Sequence, residues 1–228
     1  MDDGLLVRVG PGPAPRSDEA AGKRAVIVRA ATELFLAHGY TATRTEQIAA
    51  AAAVSKQTVY SHFGDKERLF REIVLGVTAT AEAFADGLAG TLADVTRPGD
   101  VEPALRDLAR RYLAAVMSPQ VLALRRLVIA EATRFPDLAA TYWQRAPGRV
   151  LAALAEAFGG LADLLAIPDP ARAADDFAFL VLGRPLDHGM FHTEAAEPAT
   201  TDLAAAADHA VDVFLAAYPL RADSTNAQ

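Results

Sequence analysis

The chain has no cysteine, one tryptophan and three methionines among its 228 residues. Without thiols there can be no disulfide, no thiolate nucleophile and no cysteine-ligated zinc or iron–sulfur site. Long apolar runs are also missing. The longest candidates, Ile48 to Val54 and Phe177 to Gly183, are partly alanine and fall far short of the roughly 18 residues that span a bilayer. The N-terminus opens on Asp2 and Asp3 and reaches only Leu5-Leu6-Val7 before Arg8, unlike a secretory signal. A cytoplasmic location with no membrane partner is therefore expected. There is no Gly-x-Ser-x-Gly elbow, no phosphate-binding Gly-Lys-Ser/Thr loop and no third glycine to complete a dinucleotide fingerprint around Gly10 and Gly12. His188 and His192, with Glu194 following, would share one face if helical, but Gly189 and the aperiodic sequence after it point to a loop over His188 to Thr200. Hence no catalytic residues, no cofactor and no metal site are expected.

What is present is apolar mass and an uneven charge. Hydrophobic residues make up 52% of the chain and charged residues 22%, enough to build a sizeable core. The formal net charge of -7 would by itself oppose nucleic-acid binding. Its distribution matters more. Residues 17–71 carry 8 Lys+Arg against 6 Asp+Glu, whereas residues 72–228 carry 12 against 21. A weakly basic small segment joined to an acidic larger one suggests two parts with different partners.

Alanine and leucine abound and β-branched alternation is rare, so the chain reads as all-α, with about ten helices and no internal repeat. Residues 1–16, rich in Gly and Pro, are expected to form a flexible arm. The first helix should cover Ser17 to His38, with Ile27, Ala31, Leu34, Phe35 and His38 on one face and Gly39 as its stop. Two short helices follow, Thr45 to Ala52 and Lys56 to Phe63. A long one after Gly64 carries the stripe Leu69, Ile73, Val77, Phe84 and Leu88 to about Leu92 and is broken by Arg97-Pro98-Gly99. Further helices are expected over Glu102–Met117, Pro119–Arg134, Asp137–Gln144, Pro147–Ala166, Pro168–His188 and Thr201–Tyr218.

Two short helices across a tight break make a helix-turn-helix, here within Thr43 to Phe70. Ser55 is suited to cap the second of them, and Val54 and Val59 can form a hydrophobic staple. With Val59 and Phe63 turned toward Ile48 and the first helix, Lys56, Gln57, Thr58, Tyr60, Ser61 and His62 are left outward. Gln can pair bidentately with adenine, Lys can reach guanine or phosphate, and a Thr methyl can pack on thymine. Thr45, Tyr60, His62 and Lys66 suit phosphate oxygens, with Arg44, Lys23 and Arg24 adding positive charge. The candidate DNA contacts are thus Arg44, Thr45, Ser55, Lys56, Gln57, Thr58, Tyr60, His62 and Lys66.

The linear pattern of Ala53, Val54, Ser55, Tyr60, Phe63, Lys66 and Leu69 resembles the DNA-binding region of the TetR family of regulators. So do Ala31, Leu34, Phe35, Gly39 and Tyr40 before it. The likeness covers about Lys23 to Arg71. One position departs from the family, which commonly has Gly at the turn where this chain has Ala53; a left-handed Ala there would cost on the order of 1 kcal/mol. The run Leu127 to Leu138 is similar to the C-terminal part of one TetR subgroup.

The resemblance implies a homodimer whose three N-terminal helices, residues 17–64, bind double-stranded operator DNA. Residues 65–228 would then bind a small-molecule effector and the second subunit. A dimer suits the chemistry, because one recognition helix contacts few bases whereas two read half-sites roughly 34–36 Å apart. Candidate dimer residues are Phe177, Leu180, Val181 and Arg184 with Leu203, Ala207, Ala210, Val211 and Phe214. The same stripes would serve equally well as intramolecular core. An apolar effector cavity is expected among Phe84, Leu88, Tyr112, Met117, Leu122, Ile129, Phe135, Tyr142, Trp143 and Phe179, with Arg126 and Glu131 as polar handles. A ligand-responsive repressor is the reading these features favour. The alternatives are a helical enzyme, or a protein-interaction module, that keeps the helix-turn-helix.

Overall fold

The computed structural model describes residues 16–191 and 202–221. The arm expected over 1–16 lies outside them except for Arg16, as do the expected loop beyond Phe191 and the candidate ligand His192. Among the described residues the chain forms ten helices: α1 (Arg16–Ala42), α2 (Thr45–Ala51), α3 (Lys56–Phe63), α4 (Lys66–Ala93), α5 (Pro98–Val116), α6 (Pro119–Ala130), α7 (Pro136–Arg145), α8 (Pro147–Gly160), α9 (Pro170–Phe191) and α10 (Leu203–Ala217). The one extended pairing described is an isolated antiparallel bridge between Leu165 and Leu220.

Several boundaries differ from expectation for identifiable reasons. Pro98 and Gly99 do not merely end α4; they open α5, since a proline at the first helical position gives up an N–H that would be unpaired anyway. Prolines also stand first in α6, α7, α8 and α9. Helix α8 stops at Gly160, after two consecutive glycines, rather than at Ala166. Helix α9 continues to Phe191, so His188 to Phe191 are helical rather than loop. Helix α4 corrects another expectation, because by length and composition it is apolar enough to cross a bilayer. Its apolar residues are interspersed with Gly, Thr and Ala, so no continuous run exposes this.

The chain divides into two compact units, with the boundary inside α4 between Phe70 and Arg71. In the first, Ile27, Ala31 and Phe35 of α1 are buried with Ile48 of α2, Val59 and Phe63 of α3, and Leu69 and Phe70 of α4. Phe35 meets Phe70 edge-on at 5.4 Å and Tyr40 lies 4.9 Å from Phe70. His38, expected on the packed face of α1, is exposed; Tyr40, beyond the break, is buried instead. The break itself is at Gly39, whose φ of 79° and ψ of 169° lie in a region open essentially to glycine alone.

In the second unit α8 packs on α9, and α10 packs on α5 and α9. Their apolar faces enclose Phe158, Phe177 and Phe214, all fully buried, with ring centroids 5.2–5.4 Å apart. Burying one such ring contributes about 1.5–3 kcal/mol. Arg106 of α5 joins this core to α10 by donating to Asp212 (2.6 Å) and to the Asp208 carbonyl (3.1 Å), while Arg110 forms a two-point pair with Asp208. Helix α9 approaches its neighbours so closely at Gly189 that a Cβ there would stand 2.9 Å from Met117 Cε and 3.1 Å from Leu122 Cδ1.

Candidate nucleic-acid interface and candidate ligand pocket

The turn between α2 and α3 is built by backbone bonds. Val54 N donates to Ala49 O (3.0 Å) and Ala53 N to Ala50 O (3.1 Å), a Schellman closure of α2. That closure requires a left-handed residue at Ala53, and its φ is 51°. Ser55 then caps α3, its hydroxyl oxygen accepting from Thr58 N at 3.0 Å and lying 2.8 Å from the Thr58 hydroxyl. One edge of the motif is fixed by Thr43, whose hydroxyl donates to Gly39 O at 2.8 Å. The other is fixed by Lys66, whose ammonium donates to Tyr40 O (2.9 Å) and Thr43 O (2.8 Å) and sits 4.2 Å above the Tyr40 ring.

With Val59 and Phe63 buried, α3 presents Lys56, Gln57, Tyr60 and Ser61 as exposed residues, with Thr58 and His62 half-buried. Gln57 makes no hydrogen bond among the described residues, so both ends of its amide are open to a partner. Lys56 is engaged by Glu46 of α2, which raises the lysine pKa and lowers that of the carboxyl through the shared hydrogen bond. Its ammonium also stands 5.6 Å from the Tyr60 ring. Arg44, the residue preceding α2, is exposed and its backbone N–H donates to Gln47 Oε1 at 2.8 Å. Thr45 is buried. Two of the expected contact residues, Ser55 and Lys66, are therefore engaged in holding the motif together.

The second unit contains a cavity of about 360 Å³ lined by Tyr112, Arg125, Trp143, Pro147, Leu151, Ala178, Phe179, Leu182, Gly183, Leu186, Asp187 and Met190. Of the expected effector residues, Tyr112, Trp143 and Phe179 line it. Leu88, Leu122, Phe135 and Tyr142 are buried in the packing, Phe84 stacks on Tyr112 at 6.0 Å, and Ile129 is exposed. Met117 packs against the core, and Arg126 donates to the Gly189 carbonyl at 2.8 Å. Glu131 is the C-cap residue of α6.

The cavity residues missed from sequence include a row along α9, Ala178, Leu182, Leu186 and Met190, flanked by Phe179, Gly183 and Asp187. That i, i+4 spacing was available as a signal. Choosing Arg126 over Arg125 was not decidable, because adjacent helix residues point about 100° apart and nothing local says which points inward. Burial pushes the Tyr112 hydroxyl up to about 12.

Of the expected dimer residues, Phe177, Val181, Ala207, Ala210, Val211 and Phe214 are buried in the core of their own unit. Leu203 is half-buried against the same core, whereas Leu180 and Arg184 are exposed. Also exposed are the apolar side chains Phe179, Phe191 and Val213.

A family profile described as "Bacterial regulatory proteins, tetR family" matches residues 27–73, and one described as "AefR-like transcriptional repressor, C-terminal domain" matches residues 103–219. The HTH-type transcriptional regulator TcmR of Streptomyces glaucescens is 31% identical over 176 residues, which is 73% of this chain and 69% of that protein. A crystal structure from Mesorhizobium loti, assigned to the TetR family, is 36% identical with a TM-score of 0.77 and covers 90% of this chain and 99% of its own. The flavonoid-responsive regulator FrrA is 31% identical with a TM-score of 0.61, covering 89% and 100% respectively.

Proposed function

The chain belongs to the TetR family of bacterial transcriptional regulators, and from that premise we propose that it is a cytoplasmic, homodimeric repressor released from a palindromic operator by a small apolar effector. It is a DNA-binding regulator and not an enzyme. The observation that carries the finer reading is the outward N-terminal face of α3. Lys56 and Gln57 are exposed there while the helix is anchored from behind by Val59 and Phe63. Base edges are read by donor and acceptor side chains at the start of a helix in the major groove. Arg44, Thr58, Tyr60 and His62 flank that position and are assigned to the DNA backbone, whereas Ser55 and Lys66 act by positioning.

Residues 17–64 are assigned to operator binding and residues 65–228 to effector and partner. The exposed apolar side chains Leu180 and Phe191 on α9 and Val213 on α10 are the surface we assign to the second subunit. Effector release follows if the cavity favours one arrangement of α4, the helix that runs from the first unit into the second, over the one that fits both half-sites.

Selection of bound duplexes from a random library tests the reading. The expected product is an inverted repeat, bound by wild type and lost on combined alanine substitution of Lys56, Gln57 and Tyr60 with the helix content unchanged. Recovery of no consensus at low salt, or full binding by the triple variant, would overturn it.

A further inference from the structure

The cavity of the second unit has an unusual balance of charge for a site otherwise built of rings and aliphatic groups. Its wall holds one cation, Arg125, and one anion, Asp187, and among the described residues neither makes an ion pair or a hydrogen bond. The buried Tyr112 adds a phenolic hydroxyl that also has no hydrogen-bond partner among the described residues. On the same elements Arg126 donates to the Gly189 carbonyl and His188 has a partner of its own, while Arg145 and Arg184 do not line the cavity. Around these groups stand Trp143, Phe179, Leu151 and Leu182.

Charge of the ligand is what this arrangement discriminates. A singly charged aromatic could satisfy one of the two ionic groups only by being brought beside the like charge of the other. An uncharged hydrocarbon would cover both and satisfy neither, at the desolvation cost of unpaired polar groups. A neutral aromatic with a carbonyl and a phenolic hydroxyl meets both requirements. Its carbonyl accepts from the Arg125 guanidinium, its hydroxyl donates to the Asp187 carboxylate, and its rings stack on Trp143 and Phe179. We propose that the cavity selects a planar, neutral hydroxy-carbonyl aromatic of two or three rings and discriminates against aromatic anions and cations of similar size, through the unpaired Arg125 and Asp187 that line it together. This rests on the reading of the cavity as the effector site and specifies its ligand class.

The test uses the full chain and the emission of Trp143, which is the only tryptophan and lines the cavity. Three probes are titrated in weakly acidic buffer: 5,7-dihydroxyflavone, anthracene-9-carboxylate and ethidium, with ligand-dependent thermal shift as a second readout. The flavone is expected to bind wild type at least about fivefold more tightly than either ion, the scale of a partly exposed charge contact. Asp187→Asn should move the preference toward the carboxylate and Arg125→Gln toward ethidium. A merely structural role for these residues would weaken all three probes alike.

Wild type binding either ion as tightly as the flavone, variants that leave the ranking unchanged, or no response from Trp143 to any probe would each overturn the proposal. Operator retardation is measured on the same preparation. Probe selectivity without retardation would support the ligand assignment while sinking the regulator reading, and retardation without selectivity would do the reverse.

Discussion

Replacing Ala53 by glycine should make the first unit more stable, which is the opposite of what a helix-rich segment usually shows. Ala53 has a φ of 51°, and an L-residue in the left-handed region carries a penalty of roughly 1–2 kcal/mol from its Cβ against the following carbonyl. Glycine removes that strain. It also enlarges the conformational freedom of the unfolded chain, which returns about 0.4–1 kcal/mol of the gain. Because Ala53 is exposed, the lost methyl group forfeits little packing. The net expectation is a stabilisation of about 0.5–1 kcal/mol.

The chain has two units, so a single unfolding curve would mix them. Trp143 reports on the second only. Amide exchange at Val59 and Gly64, whose N–H groups donate to Ser55 O (3.3 Å) and Tyr60 O (2.7 Å), reports on α3. Exchange there should slow by roughly two- to fivefold in Ala53→Gly, the equivalent of that free energy, with the Trp143 unfolding midpoint unmoved. Ala53→Val should do the reverse, since a β-branched residue tolerates the left-handed region less well. Unchanged or faster exchange in the glycine variant would mean that the turn holds no strain at this position, and the reasoning would fail.

Lys66→Met keeps the stem length but removes two charged donors from the Tyr40 and Thr43 carbonyls, so protection of the first unit should fall by about 2–3 kcal/mol; a variant that loses operator affinity with protection intact would instead make Lys66 a direct phosphate ligand. Glu46→Gln removes a carboxylate beside the contact face and frees the Lys56 ammonium, so operator affinity should rise several-fold at low salt and the gain should fade as salt is added; equal affinity at every salt concentration counts against the assignment of Lys56. Arg71 holds Asp137 in a two-point pair at 2.6 and 3.1 Å and lowers its carboxyl below the ordinary value of 3.8. The stability this pair adds is complete above that value and is lost as pH falls through the depressed one, so the acid limb of Trp143 unfolding should be shallower in Asp137→Asn, and identical limbs would refute the linkage.

The first unit was largely legible because its signals are local and mutually consistent. Gly39 stops α1, Ser55 caps α3, and the same spacing that buries Val59 and Phe63 turns Lys56 and Gln57 outward. Even the departure at Ala53 could be placed in advance, since a Schellman closure dictates the backbone whatever residue occupies it. Less legible was the role of Lys66. A lysine beside a recognition helix reads as a phosphate ligand, and only the fold brings the Tyr40 and Thr43 carbonyls, 26 and 23 residues away in sequence, to its ammonium.

In the second unit the limit is that a helix apolar on more than one side has no unique inward face. On α9 one row, Phe177, Val181 and Pro185, is buried; a second, Ala178, Leu182, Leu186 and Met190, borders the cavity; and a third, Leu180 and Phe191, is exposed. All three are apolar at helical spacing, so periodicity identifies the helix without ranking its sides. The residues expected at a dimer seam on α9 mixed these rows: Phe177 and Val181 come from the first, where Phe177 is packed against Phe158 and Phe214, and Leu180 from the third. What separates the rows is where polar groups fall among them. Asp187 beside the second row marks the cavity side, because a carboxylate is tolerated where solvent or a ligand can reach it. Arg184 and the third row share the open side. On a helix with several apolar faces, the position of a lone charge therefore carries more functional information than the apolar pattern itself.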